Sequence, residues 1–99
     1  MNIEKMMSGT TAVLKVVGSL DTSTAPELES VIADCVADIK ELVLDCGELE
    51  YISSAGLRVL LSAHKAMSAK GGMKVTNVNE IVQEVFEVTG FADILNIER

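Results

Sequence analysis

TAPELESVIADCVADIKELVLD, residues 24–45, holds a helix and a strand in succession and thereby sets the class of fold. Thr24 can cap exposed N–H groups, Pro26 fits the first turn, and Glu27 completes a capping box. Leu28, Val31, Ile32, Cys35, Val36 and Ile39 then recur at helical spacing, so one face packs on a sheet while Glu29, Asp34 and Asp38 face water. Leu42-Val43-Leu44 is too short for a helix and reads as a buried strand ending at Asp45-Cys46-Gly47.

Working outward, the same alternation continues on both sides. Upstream, Ile3–Met7 and Thr11–Val17 flank Ser8-Gly9-Thr10 as a hairpin with glycine in the turn. Ala12-Val13-Leu14-Lys15-Val16-Val17 is apolar on both faces apart from Lys15, which predicts a covered, central strand. Downstream, a helix from Ala55 to about Ala69 presents Leu57, Leu60, Leu61 and Met67, and Gly71-Gly72 stops it. Met73–Val78 alternates as a strand. A third helix runs from a cap near Asn79 through Ile81, Val82, Val85 and Phe86 to Gly90, and Phe91–Ile97 packs the tail. The order β-β-α-β-α-β-α predicts one small α/β domain over residues 1–99, with a mixed, mostly parallel β-sheet of about four to five strands and three to four helices. In such sheets functional groups gather at the carboxyl ends of strands, here Gly18–Thr24 and Asp45–Ser54.

Composition narrows the function classes. Fifteen acidic against eight basic side chains give a net charge of −7, which repels nucleic acid phosphates and anionic membrane surfaces alike. Tyr51, Phe86 and Phe91 are too few for a base-stacking platform. Apolar runs are only a few residues long, far below the roughly 20 that span a bilayer. Met1-Asn2-Ile3-Glu4-Lys5 has neither the basic start nor the apolar run of a secretory signal, so a cytoplasmic protein is expected. Cys35 and Cys46 read as small buried hydrophobes. The single histidine, His64, has no companion ligands, so neither a metal nor a cofactor is expected.

The segment Tyr51-Ile52-Ser53-Ser54-Ala55-Gly56-Leu57 carries the chemistry. It places two hydroxyls where a loop meets the second helix, whose first N–H groups lack partners and favour an anion. Either serine also fits as the N-cap. Gly56, in the first turn, forfeits roughly 1 kcal/mol of helix propensity against alanine. Close approach by another chain's backbone is one reason to keep it.

These residues resemble the anti-sigma factor antagonists, members of the sulfate transporter and anti-sigma factor antagonist (STAS) group. Gly18-Ser19-Leu20-Asp21 is similar to the family's Gly-x-Leu-Asp before the first helix, and Leu42-Val43-Leu44-Asp45 also matches. Residues 51–57 resemble its aromatic-hydrophobic-Asp-Ser-Ser-Gly-Leu signature, with Ser53 in place of aspartate and Ala55 in place of the second serine. The resemblance implies a partner-switching regulator of transcription, bound by an anti-sigma factor with serine kinase activity that carries its own ATP. It implies phosphorylation at Ser54, with Ser53 as a rival acceptor. Partner contacts are expected at Asp21, Thr22, Ile52, Ser53, Ala55, Gly56, Leu57 and Arg58, although Asp21 and Thr22 also fit a local turn or cap. A serine phosphatase is a further expected partner, and the chain is expected to be a monomer or weak dimer.

Two other classes compete. An enzyme is disfavoured, because no Ser-His-Asp arrangement is supported and His64 sits mid-helix away from the serines. A non-phosphorylated STAS scaffold, in a lipid-transport, chemosensory or stress-signalling assembly, would use Ser54 only as a cap.

Overall fold

The longest strand, β2 (Thr11–Leu20), organises the sheet, and the computed structural model describes residues 1–98 around it. It follows β1 (Asn2–Ser8) across a hairpin whose Gly9 takes φ 61°, the left-handed turn geometry that glycine permits. After β2 come α1 (Ala25–Cys35), β3 (Glu41–Asp45), β4 (Leu49–Ile52), α2 (Ser54–Ser68), β5 (Met73–Thr76), α3 (Glu80–Thr89) and β6 (Ile97–Glu98). Single 3₁₀ turns occupy Val36–Asp38 and Phe91–Asp93. The strand order is β1-β2-β3-β5-β6, antiparallel between β1 and β2 and parallel elsewhere, with β4 pairing onto β2. This is the expected small α/β domain with a mixed, mostly parallel sheet and three α-helices; the described residues form six strands where four to five were expected, the short β4 and β6 being the additions to the predicted order.

Burial alternates along the central strands. Ala12, Leu14 and Val16 of β2, Leu42 and Leu44 of β3, and Met73 and Val75 of β5 are buried. Their neighbours Val13, Lys15, Val17, Val43 and Thr76 are half-buried, and Lys74 is exposed. The helices therefore cover one face, and the prediction that β2 is covered on both is corrected: Val13 and Val17 lie on its more open side. Leu28, Ile32 and Cys35 of α1 join Leu57, Leu60, Ala63 and Met67 of α2 in the core, with Val82 and Phe86 of α3.

Other boundaries move for local reasons. α1 stops at Cys35, and the chain reaches Ile39 in an extended conformation, φ −120° and ψ 156°. Ile39 remains buried at 2% exposure, and the Lys70 ammonium donates to the carbonyls of Val36 and Ile39. β5 ends at Thr76 because Asn77 takes φ 57°, outside the extended range. Asn79 caps α3 by accepting from the Val82 N–H at 2.9 Å, and Gly90 closes that helix at φ 84°, both as the sequence predicts. Of the apolar residues named along this helix, Val82 and Phe86 are buried, whereas Ile81 is 64% exposed. Cys35 and Cys46 are buried free thiols, in agreement with their reading as small hydrophobes.

Candidate functional site

The site arises from a change of partner along β2. Thr11–Lys15 pair with β3, and Gly18–Leu20 pair with β4 in the register Gly18↔Leu49, Ser19↔Tyr51 and Leu20↔Ile52. The register shifts between Gly18 and Ser19, where Gly18 takes φ 103° and donates to the Glu48 carbonyl at 3.0 Å. Beyond the pairing, the Ser53 N–H donates to the Leu20 carbonyl at 2.9 Å. The starts of α1 and α2 thus emerge side by side at one carboxyl edge, and the two predicted loops meet there.

At the start of α1 the polar groups use one another. Asp21 Oδ1 accepts from the Ser23 N–H at 2.9 Å, the Ser23 hydroxyl at 2.8 Å and the Thr24 N–H at 3.1 Å. Thr24 Oγ1 accepts from the Asp21 N–H at 2.8 Å and donates to the Ser19 carbonyl at 2.8 Å. The Ser23 hydroxyl above all, with the backbone N–H groups of Thr24 and Ser23, holds the Asp21 carboxyl below its ordinary range. The Thr24–Glu27 capping box does not form: Thr24 lies at φ −102°, ψ −19°, and its side chain makes no cap bond. Asp21 takes the alternative role of local turn acceptor.

At the start of α2 one hydroxyl is used and the next is not. Ser53, at φ −98° and ψ 176°, is the N-cap: its Oγ accepts from the Gly56 N–H at 3.4 Å, and its carbonyl accepts from Leu57 N–H at 2.9 Å. Ser54 is the first residue of the helix and is exposed, and no hydrogen bond engages its hydroxyl among the described residues. Which of two adjacent serines caps is a matter of helix phase, and the structure decides it.

Three expected contacts face inward. Ile52 is 2% exposed and Leu57 6%. Gly56 is buried, and a Cβ there would lie 2.7 Å from Leu20 Cγ and 2.9 Å from Ile52 Cγ1. Its glycine is required by the protein's own core and not by the approach of another chain. The side chains of Ile52 and Leu57 accordingly pack the interior and present no contact surface.

Thr22, Ala55 and Arg58 do come together. They line a shallow groove between α1 and α2 with Pro26, Glu29 and Ser62. Sequence reasoning missed Pro26, in the first turn of α1, and Ser62, which follows Arg58 by four residues on α2 and so shares its face. Tyr51, which opens the serine motif but was not among the expected contacts, is half exposed on β4 beside the site. More consequential is the charge distribution that the net value hides. Residues 51–74 carry Arg58, Lys65, Lys70 and Lys74 and no carboxylate, whereas residues 75–98 carry Glu80, Glu84, Glu87, Asp93 and Glu98 and no lysine or arginine. Ser54 therefore stands at the positive end of a helix whose own charged side chains are cationic.

Nearby groups are set in structure. Asp45 accepts from the Asn77 amide and the Gly47 N–H, both at 3.0 Å, and these bonds, Asn77 first, hold its carboxyl below the ordinary range. Burial, with a smaller push from the Asp45 charge, raises the Cys46 thiol to about 12, so it is protonated and unreactive at neutral pH.

A one-faced mixed sheet that presents a free serine at a helix start, with a shallow groove alongside, defines a small α/β recognition domain. Residues 2–99 match the STAS domain, and the chain belongs to that family. It is 39% identical over 82 residues, covering 81% of this chain and 71% of the relative, to BtrV of Bordetella bronchiseptica, provisionally named an anti-sigma factor antagonist. It is 27% identical over 99 residues to the anti-sigma-B factor antagonist of Staphylococcus aureus, covering 98% of this chain and 92% of that one. The crystal structure of an anti-sigma factor antagonist from Mycobacterium paratuberculosis superposes with a TM-score of 0.89 at 26% identity, covering 98% of this chain and 84% of the other.

Proposed function

We propose that this chain is an anti-sigma factor antagonist, which binds an anti-sigma factor through the surface around Ser54 and is released when that partner's serine kinase activity phosphorylates Ser54. The observation that carries this reading is the exposed, unengaged Ser54 hydroxyl beside the capping Ser53. Ser53 is half-buried and its oxygen already serves Gly56, which makes it the poorer acceptor. The names of the relatives supply the partner class. The contact surface is Thr22, Tyr51, Ser54, Ala55 and Arg58, edged by Asp21 and Ser53. The partner supplies the ATP, a serine phosphatase resets the switch, and this chain contributes no catalysis.

The physics places the switch in the interface. A phosphoserine charge near −2 at the start of α2 is favourable by about 0.3–1 kcal/mol per unit charge, and Arg58 lies one turn along the same helix. The modified domain therefore stays folded. In a close contact the phosphate must be desolvated or expelled, and a penalty of about 4 kcal/mol turns a nanomolar complex into a micromolar one.

Intact mass with site mapping, after incubation with ATP and each anti-sigma kinase of the same genome, tests the reading. Phosphate confined to Ser54 supports it. An unmodified Ser54 with every kinase would leave the non-phosphorylated scaffold as the account.

A further inference from the structure

The outward face of α3 is apolar, unpaired and acidic at its margin. Ile81 is 64% and Val88 80% exposed, and with Val85 they line a shallow depression that also includes Glu84. At 100° per residue these three fall on one stripe about 60° wide. Val82 and Phe86 bind the helix to the core, and the half-buried Val85 packs against that core from the edge of the stripe, leaving Ile81 and Val88 as its exposed members. Glu84 borders the stripe on its solvent side, with Glu80 and Glu87 beyond, and all three carboxylates are exposed. No lysine or arginine occurs between Val75 and Glu98 to neutralise them.

We infer that this face docks a cationic amphipathic helix of another protein, with apolar side chains on Ile81, Val85 and Val88 and lysine or arginine against Glu80, Glu84 and Glu87. Charge selects this occupant. A second copy meeting face to face would bring two sets of these carboxylates together with no base to pair them. An acidic helix is excluded for the same reason. The α2 surface, which carries only bases, repels the same cationic partner, and α1, although acidic through Glu27, Glu29 and Asp34, exposes no large apolar side chain, so the partner is confined to α3. The proposal is independent of whether Ser54 is phosphorylated.

The test is an amide-shift titration of the full chain with a helical peptide of about 18 residues, leucine at i, i+3, i+4 and i+7 and lysine elsewhere. Shifts should centre on Glu80–Thr89 and weaken as salt rises. The Ile81→Ser/Val88→Ser variant should bind about tenfold or more weakly, which is about 1.4 kcal/mol or more. Because both positions are exposed, its melting curve should match that of the parent. Should that variant lose stability, Glu80→Lys/Glu84→Lys reads the charge term alone and should also weaken binding. Shifts centred on the α1–α2 groove, undiminished binding by both variants, or parent self-association that the serine variant abolishes would overturn the proposal.

Discussion

The starts of α1 and α2 sit next to each other on the same sheet edge, and they use their polar groups to different degrees. At α1, Asp21, Ser23 and Thr24 satisfy one another and the Ser19 carbonyl, leaving little for a partner. At α2, Ser53 alone caps the helix, and Ser54 is left with an open hydroxyl. The difference separates a structural turn from a surface available for modification, although serine, threonine and aspartate populate both.

The two regions share one brace, and breaking it has the largest expected effect. Leu20 is 1% exposed and lies against Gly56, so Leu20→Ala should cost about 2–5 kcal/mol in urea unfolding. Gly56→Ala gains helix propensity but overpacks Leu20 and Ile52, for a net loss of about 1–2 kcal/mol. In the Leu20→Ala background that loss should shrink or reverse, and a double-mutant cycle measures the coupling.

The caps come next. Thr24→Ala removes a hydroxyl that both donates and accepts at 2.8 Å and should cost about 1–2 kcal/mol. Ser53→Ala, losing a longer 3.4 Å bond, should fall near the lower end of about 0.5–2 kcal/mol. Equal costs would dissolve the contrast between the two helix starts.

Acid sharpens the same comparison. The folded Asp21 carboxyl lies below its unfolded value of about 3.9, so its stabilisation is present above that pH and fades as pH falls through the folded value. Asp45 acts in the same direction. Asp21→Asn should therefore flatten part of the acid limb of a urea-midpoint profile, with the Asp45 part remaining. The smallest effect is that of Ser54→Ala, which should change stability by less than about 0.5 kcal/mol while abolishing phosphorylation.

The three helices were legible because each has an apolar face at helical spacing, and Asn79 and Gly90 mark both ends of α3. β4 was not: Leu49-Glu50-Tyr51-Ile52 is buried, exposed, exposed, buried, and it exists as a strand only because β2 continues past Lys15 to receive it. Thr24 passes for the cap of α1 because the pattern Thr-x-x-Glu is local, whereas the Asp21 turn depends on Ser19 and Ser23. Gly56 stood out as costly, but no spacing names Leu20 and Ile52 as the atoms that exclude a side chain. Ile81, Val82, Val85 and Phe86 all mark α3 as an apolar helix, without saying which of them the core takes. The spacing does not reveal that the core takes Val82 and Phe86, holds Val85 at its edge and leaves Ile81 and Val88 exposed.

Calorimetric titration of the anti-sigma factor with the unmodified chain and with the chain stoichiometrically phosphorylated on Ser54 bears most directly on the central claim. The account predicts affinity lower by about a thousandfold for the phosphorylated form, equivalent to about 4 kcal/mol, with its melting temperature undiminished. Equal affinity of the two forms, or a loss explained by unfolding of the phosphorylated domain, would contradict it.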